Sequence, residues 1–220
     1  DLTCTQNLQS FGLRGKMLAE KPRNFRMSAD SFGNRVVDLG SNDQEFWYWI
    51  SKAQPPYQVY CSYKDLHEGR VKHMPFPFQP DWMMESMGMG PYGPPERYTL
   101  EHDQDTLRLV EKSSSPQGKP VKKVIVFKRR PQQPPYPQVT DYLLIDDTSN
   151  KEICSAKITE VQVDRSTGAT LPRRLELRWA AEKVKLAMKF DDLAVNPQVP
   201  EVAFRRDRLQ GVQSFNLSRM

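Results

Sequence analysis

Leu13-Arg14-Gly15-Lys16-Met17-Leu18-Ala19-Glu20-Lys21-Pro22-Arg23-Asn24-Phe25-Arg26-Met27-Ser28-Ala29-Asp30 decides the fold. Before Lys21-Pro22, Leu13, Gly15, Met17 and Ala19 alternate with Arg14, Lys16 and Leu18. After it, Phe25, Met27 and Ala29 alternate with Asn24, Arg26, Ser28 and Asp30. Successive side chains of a strand point to opposite faces, so a period of two marks half-buried strands. Proline has no N–H to give to a ladder, so Lys21-Pro22 separates two strands.

The same pattern continues outward. A strand over 35–40 follows the turn Phe32-Gly33-Asn34, and Ser41-Asn42-Asp43-Gln44 is the next turn, rich in residues that tolerate left-handed backbone. Phe46-Trp47-Tyr48-Trp49-Ile50 is apolar on both faces and reads as a central strand covered on each side. Residues 57–63 alternate again. Prolines interrupt the pattern from 74 to 95, where Pro80 opens a short helix bearing Trp82, Met83, Ser86 and Met87 on one face and glycines close it. Strands resume at 96–102, 106–112 and 121–128. Residues 129–137 form a stiff proline-rich connector, and a last meander runs through 142–146, 153–163, 175–179 and 184–190, with a looser tail. About ten or eleven strands and one inserted helix are expected. The reading is a mainly β protein: a single curved antiparallel sheet, left open as a half-barrel, over one domain of residues 1–220 with an inserted lid at 74–95.

Composition narrows the function classes. The 220 residues are 38% hydrophobic with mean hydropathy −0.70, and no stretch has the apolar length of a membrane-spanning helix. The net charge of +5 comes from 32 basic and 27 acidic residues. The basic pairs are dispersed, which argues against a nucleic-acid partner and leaves an anionic membrane surface open. Three cysteines, Cys4, Cys61 and Cys154, allow one disulfide at most. The chain starts at Asp1 inside a strand, so an upstream piece is expected to have been removed.

No catalytic motif is present. The spacing of His67, His73 and His102 fits no zinc pattern, and no phosphate-binding glycine loop opens a helix. No enzyme activity, metal or cofactor is therefore expected. The Met-rich helix suggests an adaptable apolar binding surface, because thioether side chains are flexible and polarizable. Ordinary core packing of the same residues stays open beside it.

The order of landmarks resembles the bacterial outer-membrane lipoprotein carrier and receptor proteins, the LolA/LolB-like family. The landmarks are the strand Leu13–Leu18, the basic residue and Pro22 leading to Phe25-Arg26, and the turn Ser41-Asn42-Asp43. The aromatic strand Phe46–Trp49 follows, and at the far end come Asn196-Pro197-Gln198-Val199-Pro200, Phe204 and Gln210-Gly211-Val212. The resemblance implies a half-barrel with a helical lid, a cavity for lipid acyl chains or lipoproteins, and a location in the periplasm or on the periplasmic face of the outer membrane. Where the family has an arginine that holds the lid, this chain has Lys21, which lacks the forked donors of a guanidinium. The expected ligand-binding set is Leu13, Met17, Phe25, Met27, Trp47, Trp49, Trp82, Met83, Met87, Leu177 and Trp179, with Lys21 as lid tether. The alternative is a packed structural or interaction module of the envelope that meets a protein or an anionic polymer through its surface. The natural ligand, the presence of a lipid anchor and the oligomeric state are not legible in the sequence.

Overall fold

The computed structural model of the chain describes residues 1–6, 9–51, 57–72, 74, 80–90, 92–115 and 118–219. Among the described residues fourteen strands run in chain order, more than the ten or eleven expected. They are β1 (Leu2–Gln6), β2 (Gln9–Glu20), β3 (Asn24–Ser31), β4 (Asn34–Ser41), β5 (Glu45–Ile50), β6 (Gln58–Ser62) and β7 (Tyr98–His102). Then come β8 (Thr106–Ser114), β9 (Pro120–Lys128), β10 (Val139–Asp146), β11 (Glu152–Val163), β12 (Thr170–Trp179), β13 (Val184–Lys189) and β14 (Ser214–Asn216). Two short α-helices, α1 (Tyr63–His67) and α2 (Pro80–Ser86), lie between β6 and β7. The mainly β class is thus what the alternation dictated. The chain divides into two compact units, Asp1–Gly12 with Ser86–Pro197 and Leu13–Glu85 with Gln198–Met220.

In the first unit the strand order is β1-β13-β12-β11-β10-β9-β8-β7, all antiparallel. Cross-strand partners share a face. Leu2, Met188 and Leu175 therefore line up, as do Leu186, Leu177 and Ala156, and these side chains are buried. The opposite face of β12 and β13 is charged, with Lys185 paired to Glu176 at 2.7 Å. The turns are built by aspartates. Asp103, Asp146 and Asp164 each accept hydrogen bonds from the backbone N–H two or three residues on, for example Thr106 N at 2.7 Å and Ser149 N at 2.6 Å.

In the second unit the order is β14-β6-β5-β4-β3-β2. The hairpin read across Lys21-Pro22 is present, with Met17 opposite Met27. Phe32 and Gly33 close the next hairpin with φ of 49° and 80°. A two-residue turn with both φ positive matches the right-handed twist of its strands.

Besides the strand count, three features depart from the sequence reading. First, strand 57–63 stops at Ser62. The Ser62 hydroxyl accepts the Asp65 N–H at 3.0 Å and donates to Asp65 Oδ2 at 2.8 Å, capping α1. The Ser-x-x-Asp spacing is the signal the alternation hid. Second, the sheet is not wholly antiparallel, because β14 pairs with β6 in parallel. Third, the tail expected to be loose is structured. It carries the 3₁₀ turn Glu201–Phe204 and then β14, whose side-chain and main-chain bonds to the unit's sheet are made by residues far apart in sequence.

Candidate functional site

Register assigns the second unit two faces of different character. Phe25, Leu39, Phe46 and Val59 lie on the first, with Met27, Tyr48 and Cys61 beside them. All seven are buried. Met17, partly exposed, extends this face through its partner Met27, and Leu13 shares its side of β2. Burial pushes the Cys61 thiol up to about 11, so it behaves as a small apolar group. Cys61 and Cys154 are free thiols.

Helix α2 is tied to this face at its first turn. Arg23 donates Nε to Asp81 Oδ1 at 3.0 Å and Nη2 to Asp81 Oδ2 at 2.9 Å. The same guanidinium lies 4.1 Å from the centre of the Tyr63 ring. Tyr63 is seated in turn on the first face, its hydroxyl 2.7 Å from Ser41 Oγ and its ring 5.6 Å from that of Phe46. Burial, reinforced by the Asp81 carboxylate, raises the Tyr63 phenol far above its ordinary value, so it stays neutral. The fork suits a guanidinium and no other side chain. Lys21 is exposed in the turn before β3, and the residue that reaches α2 is Arg23, two positions on. Within α2, Trp82, Met83 and Met84 are buried, and Met87 just after it is buried as well.

The second face is polar and carries the tail. Arg26 is buried, with Nη2 2.8 Å from Asp38 Oδ1 and 2.7 Å from Asp207 Oδ2, and Nη1 donates to the Arg205 carbonyl. Gln58 Nε2 donates to Asp38 Oδ2 and to the Asp207 carbonyl, both at 3.2 Å. Burial pushes the Asp38 carboxyl up, against the pull of Arg26 and then Arg35. Arg206 pairs with Glu45 at 3.0 Å and stacks 3.8 Å over Tyr60. Among the sequence-expected residues, Trp47 and Trp49 belong here, because Trp47 is opposite Gly40 and Tyr60 while Trp49 is opposite Asp38.

The expected set therefore divides. Leu13, Met17, Phe25 and Met27 share one face, and Trp47 and Trp49 share the other. Leu177 and Trp179 lie together on the apolar face of the first unit, both buried. Of the lid segment 74–95, residues 75–79 and 91 are outside the described residues, as is His73. Among the described residues no cluster of three metal-ligating side chains occurs, and no helix is long and apolar enough to cross a membrane.

No family model and no curated protein matches the sequence. The fold does match solved structures. A LolA superfamily protein from Nitrosomonas europaea aligns over 93% of this chain and 87% of its own, with a TM-score of 0.52 and 10% identity. A putative outer membrane lipoprotein-sorting protein domain from Vibrio parahaemolyticus aligns over 92% of this chain and 86% of its own, with a TM-score of 0.51 and 10% identity. The LolA-like fold implied by the sequence landmarks is borne out.

Proposed function

We propose that this chain is a non-enzymatic envelope protein that holds lipid acyl chains, free or on a lipoprotein, against the apolar face of β3–β6, with α2 as the cover. The observation that carries this reading is the forked Arg23–Asp81 contact. It fastens a short helix of Trp82, Met83 and Met84 beside a sheet face built of Phe25, Met27, Leu39, Phe46 and Val59. The ion pair adds about 0.2–1 kcal/mol to the burial of Trp82, Met83 and Met84, so it is a light latch on a helix seated mainly by apolar contact. Removing acyl methylenes from water supplies roughly 0.8 kcal/mol each. Acyl chains that take the place of Trp82, Met83 and Met84 against the sheet offset the burial lost when the cover lifts. The likeness to LolA superfamily and lipoprotein-sorting structures supports a periplasmic place, or one on the periplasmic face of the outer membrane.

Delipidated protein titrated with a fluorescent fatty acid tests the reading. Saturable binding is expected, and competition by a diacylated peptide extends it to lipoproteins. Met83→Glu, in a protein of unchanged circular dichroism, should abolish it. Absence of saturable binding by the wild type rejects the proposal and favours the packed interaction module.

A further inference from the structure

Residues 128–138, the connector between β9 and β10, are far longer than a hairpin needs, yet they are firmly organised. Lys128 N donates to the Gln138 carbonyl at 2.8 Å, Arg129 N to the Asp105 carbonyl at 2.9 Å, and Tyr136 N to the Gln133 carbonyl at 3.0 Å. Gln138 braces the loop from inside, accepting the Gln132 N–H at 2.8 Å through Oε1 and donating to the Lys128 carbonyl. Val161 N on β11 donates to the Pro135 carbonyl at 2.8 Å, pinning the far limb to the sheet. Four prolines, Pro131, Pro134, Pro135 and Pro137, restrict the backbone further.

This rigid loop presents Lys128, Arg129 and Arg130 exposed, together with a 67% exposed Tyr136, and it contains no acidic residue. Val163, two residues beyond the pinned Val161 on the same side of β11, is 46% exposed. Arg165 lies in the adjoining turn, exposed. The two neighbouring turns carry three carboxylates, Asp103, Asp105 and Asp164; Thr106, Ser166 and Thr167 hydrogen-bond to Asp103 and Asp164 without cancelling their charge. With Arg108, 3.9 Å from Asp103, the cations Lys128, Arg129, Arg130, Arg108 and Arg165 number five against these three, so the patch stays net positive.

We propose that the proline-braced tip Arg129-Arg130…Tyr136, with Val163 beside it, is a docking site for an anionic lipid surface. Guanidinium groups are drawn to acidic head groups, and tyrosine suits the interface, with an apolar ring and a polar hydroxyl. A loop already ordered loses little freedom on binding. A stable protein interface needs about 800 Å² from each partner, more than the few exposed side chains of this tip offer. A lipid surface needs only the tip. The site is on the first unit and does not depend on acyl chains binding to the second.

The full-length protein is co-sedimented with vesicles of pure phosphatidylcholine and with vesicles containing phosphatidylglycerol. Binding is expected only to the second, and it should weaken as salt is raised. Arg129→Gln with Arg130→Gln should lower that affinity by about 30-fold, the worth of two basic side chains at an anionic surface. Tyr136→Ser, at an exposed position that cannot unfold the protein, should lower it several-fold. Neither variant should alter the fatty-acid titration. Equal binding to both vesicle types, no binding to either, or binding unchanged in these variants overturns the proposal. So does binding lost on Phe32→Ser, at the fully exposed tip of the β3–β4 hairpin.

Discussion

The indole of Trp47 lies flat against Gly40 on the neighbouring strand. A Cβ at position 40 would stand 2.1 Å from Trp47 Cζ2 and 2.5 Å from Cε2. Both residues are buried, and Trp47 is 0% exposed. Here glycine is required by the space a ring occupies, since position 40 has no left-handed backbone.

Gly40→Ala is therefore expected to destabilise the protein by about 1–3 kcal/mol, the usual cost of overpacking a core. Denaturant unfolding followed by tryptophan fluorescence measures it. Trp47→Leu introduced with Gly40→Ala should recover part of the loss. A Gly40→Ala protein as stable as wild type would show that the indole has room to move.

Arg23 and Asp81 are about a third and two-fifths exposed, so their ion pair is worth little to global stability. Arg23→Gln should cost less than about 1 kcal/mol. Under the proposed function it should nonetheless speed release of a bound fluorescent fatty acid several-fold, because α2 loses its fastening. Stopped-flow displacement reads the rate. Lys21→Gln, two residues earlier and exposed, should leave it unchanged; equal effects from the two variants would remove the latch from the account.

Arg26 is a different case, being buried against a wholly buried Asp38. Arg26→Ala leaves that buried carboxylate with only Arg35, 4.0 Å away, and releases the tail at Arg205 and Asp207, so a loss of about 3–5 kcal/mol is expected. Asp207→Asn, at a 61% exposed carboxylate, should cost under about 1 kcal/mol. Hydrogen exchange of the Gln58 amide, which donates to the Gln213 carbonyl, reports whether the tail has detached.

Acid stability should follow the turn aspartates. Hydrogen bonds hold the carboxyls of Asp103, Asp146 and Asp164 below the ordinary value of 3.8. The folded chain then binds those protons more weakly than the unfolded chain. Their contribution is complete above the ordinary value and is lost as pH falls through the lowered ones. Asp38 has the opposite sign. Its raised pKa favours the fold below the ordinary value, and that advantage fades as pH rises through the raised one. Melting temperatures taken from about pH 5 to about pH 2 should fall, and more shallowly in a protein with Asp103→Asn, Asp146→Asn and Asp164→Asn. An acid limb equally steep in that variant would place the sensitivity elsewhere.

Alternation from Leu13 to Asp30, the apolar run Phe46–Ile50 and the turn residues at 32–34 and 164–168 were sufficient for the β class and for most strands. Each is a local preference written within a few residues. Proline at 80 was enough to start α2. The tail was opaque because Ser214–Asn216 is three residues long, and Arg205–Asp207 matter only for the partners they meet.

For the site, alternation placed Phe25 and Met27 on one face, while the run Phe46–Ile50, apolar on both faces, left the side of Trp47 and Trp49 open. Alternation could not place the tryptophans relative to Phe25, because the period of a strand says which neighbours share a face and not which face of the next strand they join. Pairing decided that, through Phe25 opposite Ser41 and Trp47 opposite Gly40. The sequence by itself determined a mainly β chain of LolA-like order with a short methionine-rich helix, since patterning and turn chemistry act over neighbouring residues. Only the tertiary structure decided that Arg23 rather than Lys21 reaches Asp81, and that Arg26 and Asp38 are buried beneath Asp207. The Arg23–Asp81 and Arg26–Asp207 contacts join residues 58 and 181 positions apart, separations at which no local preference operates.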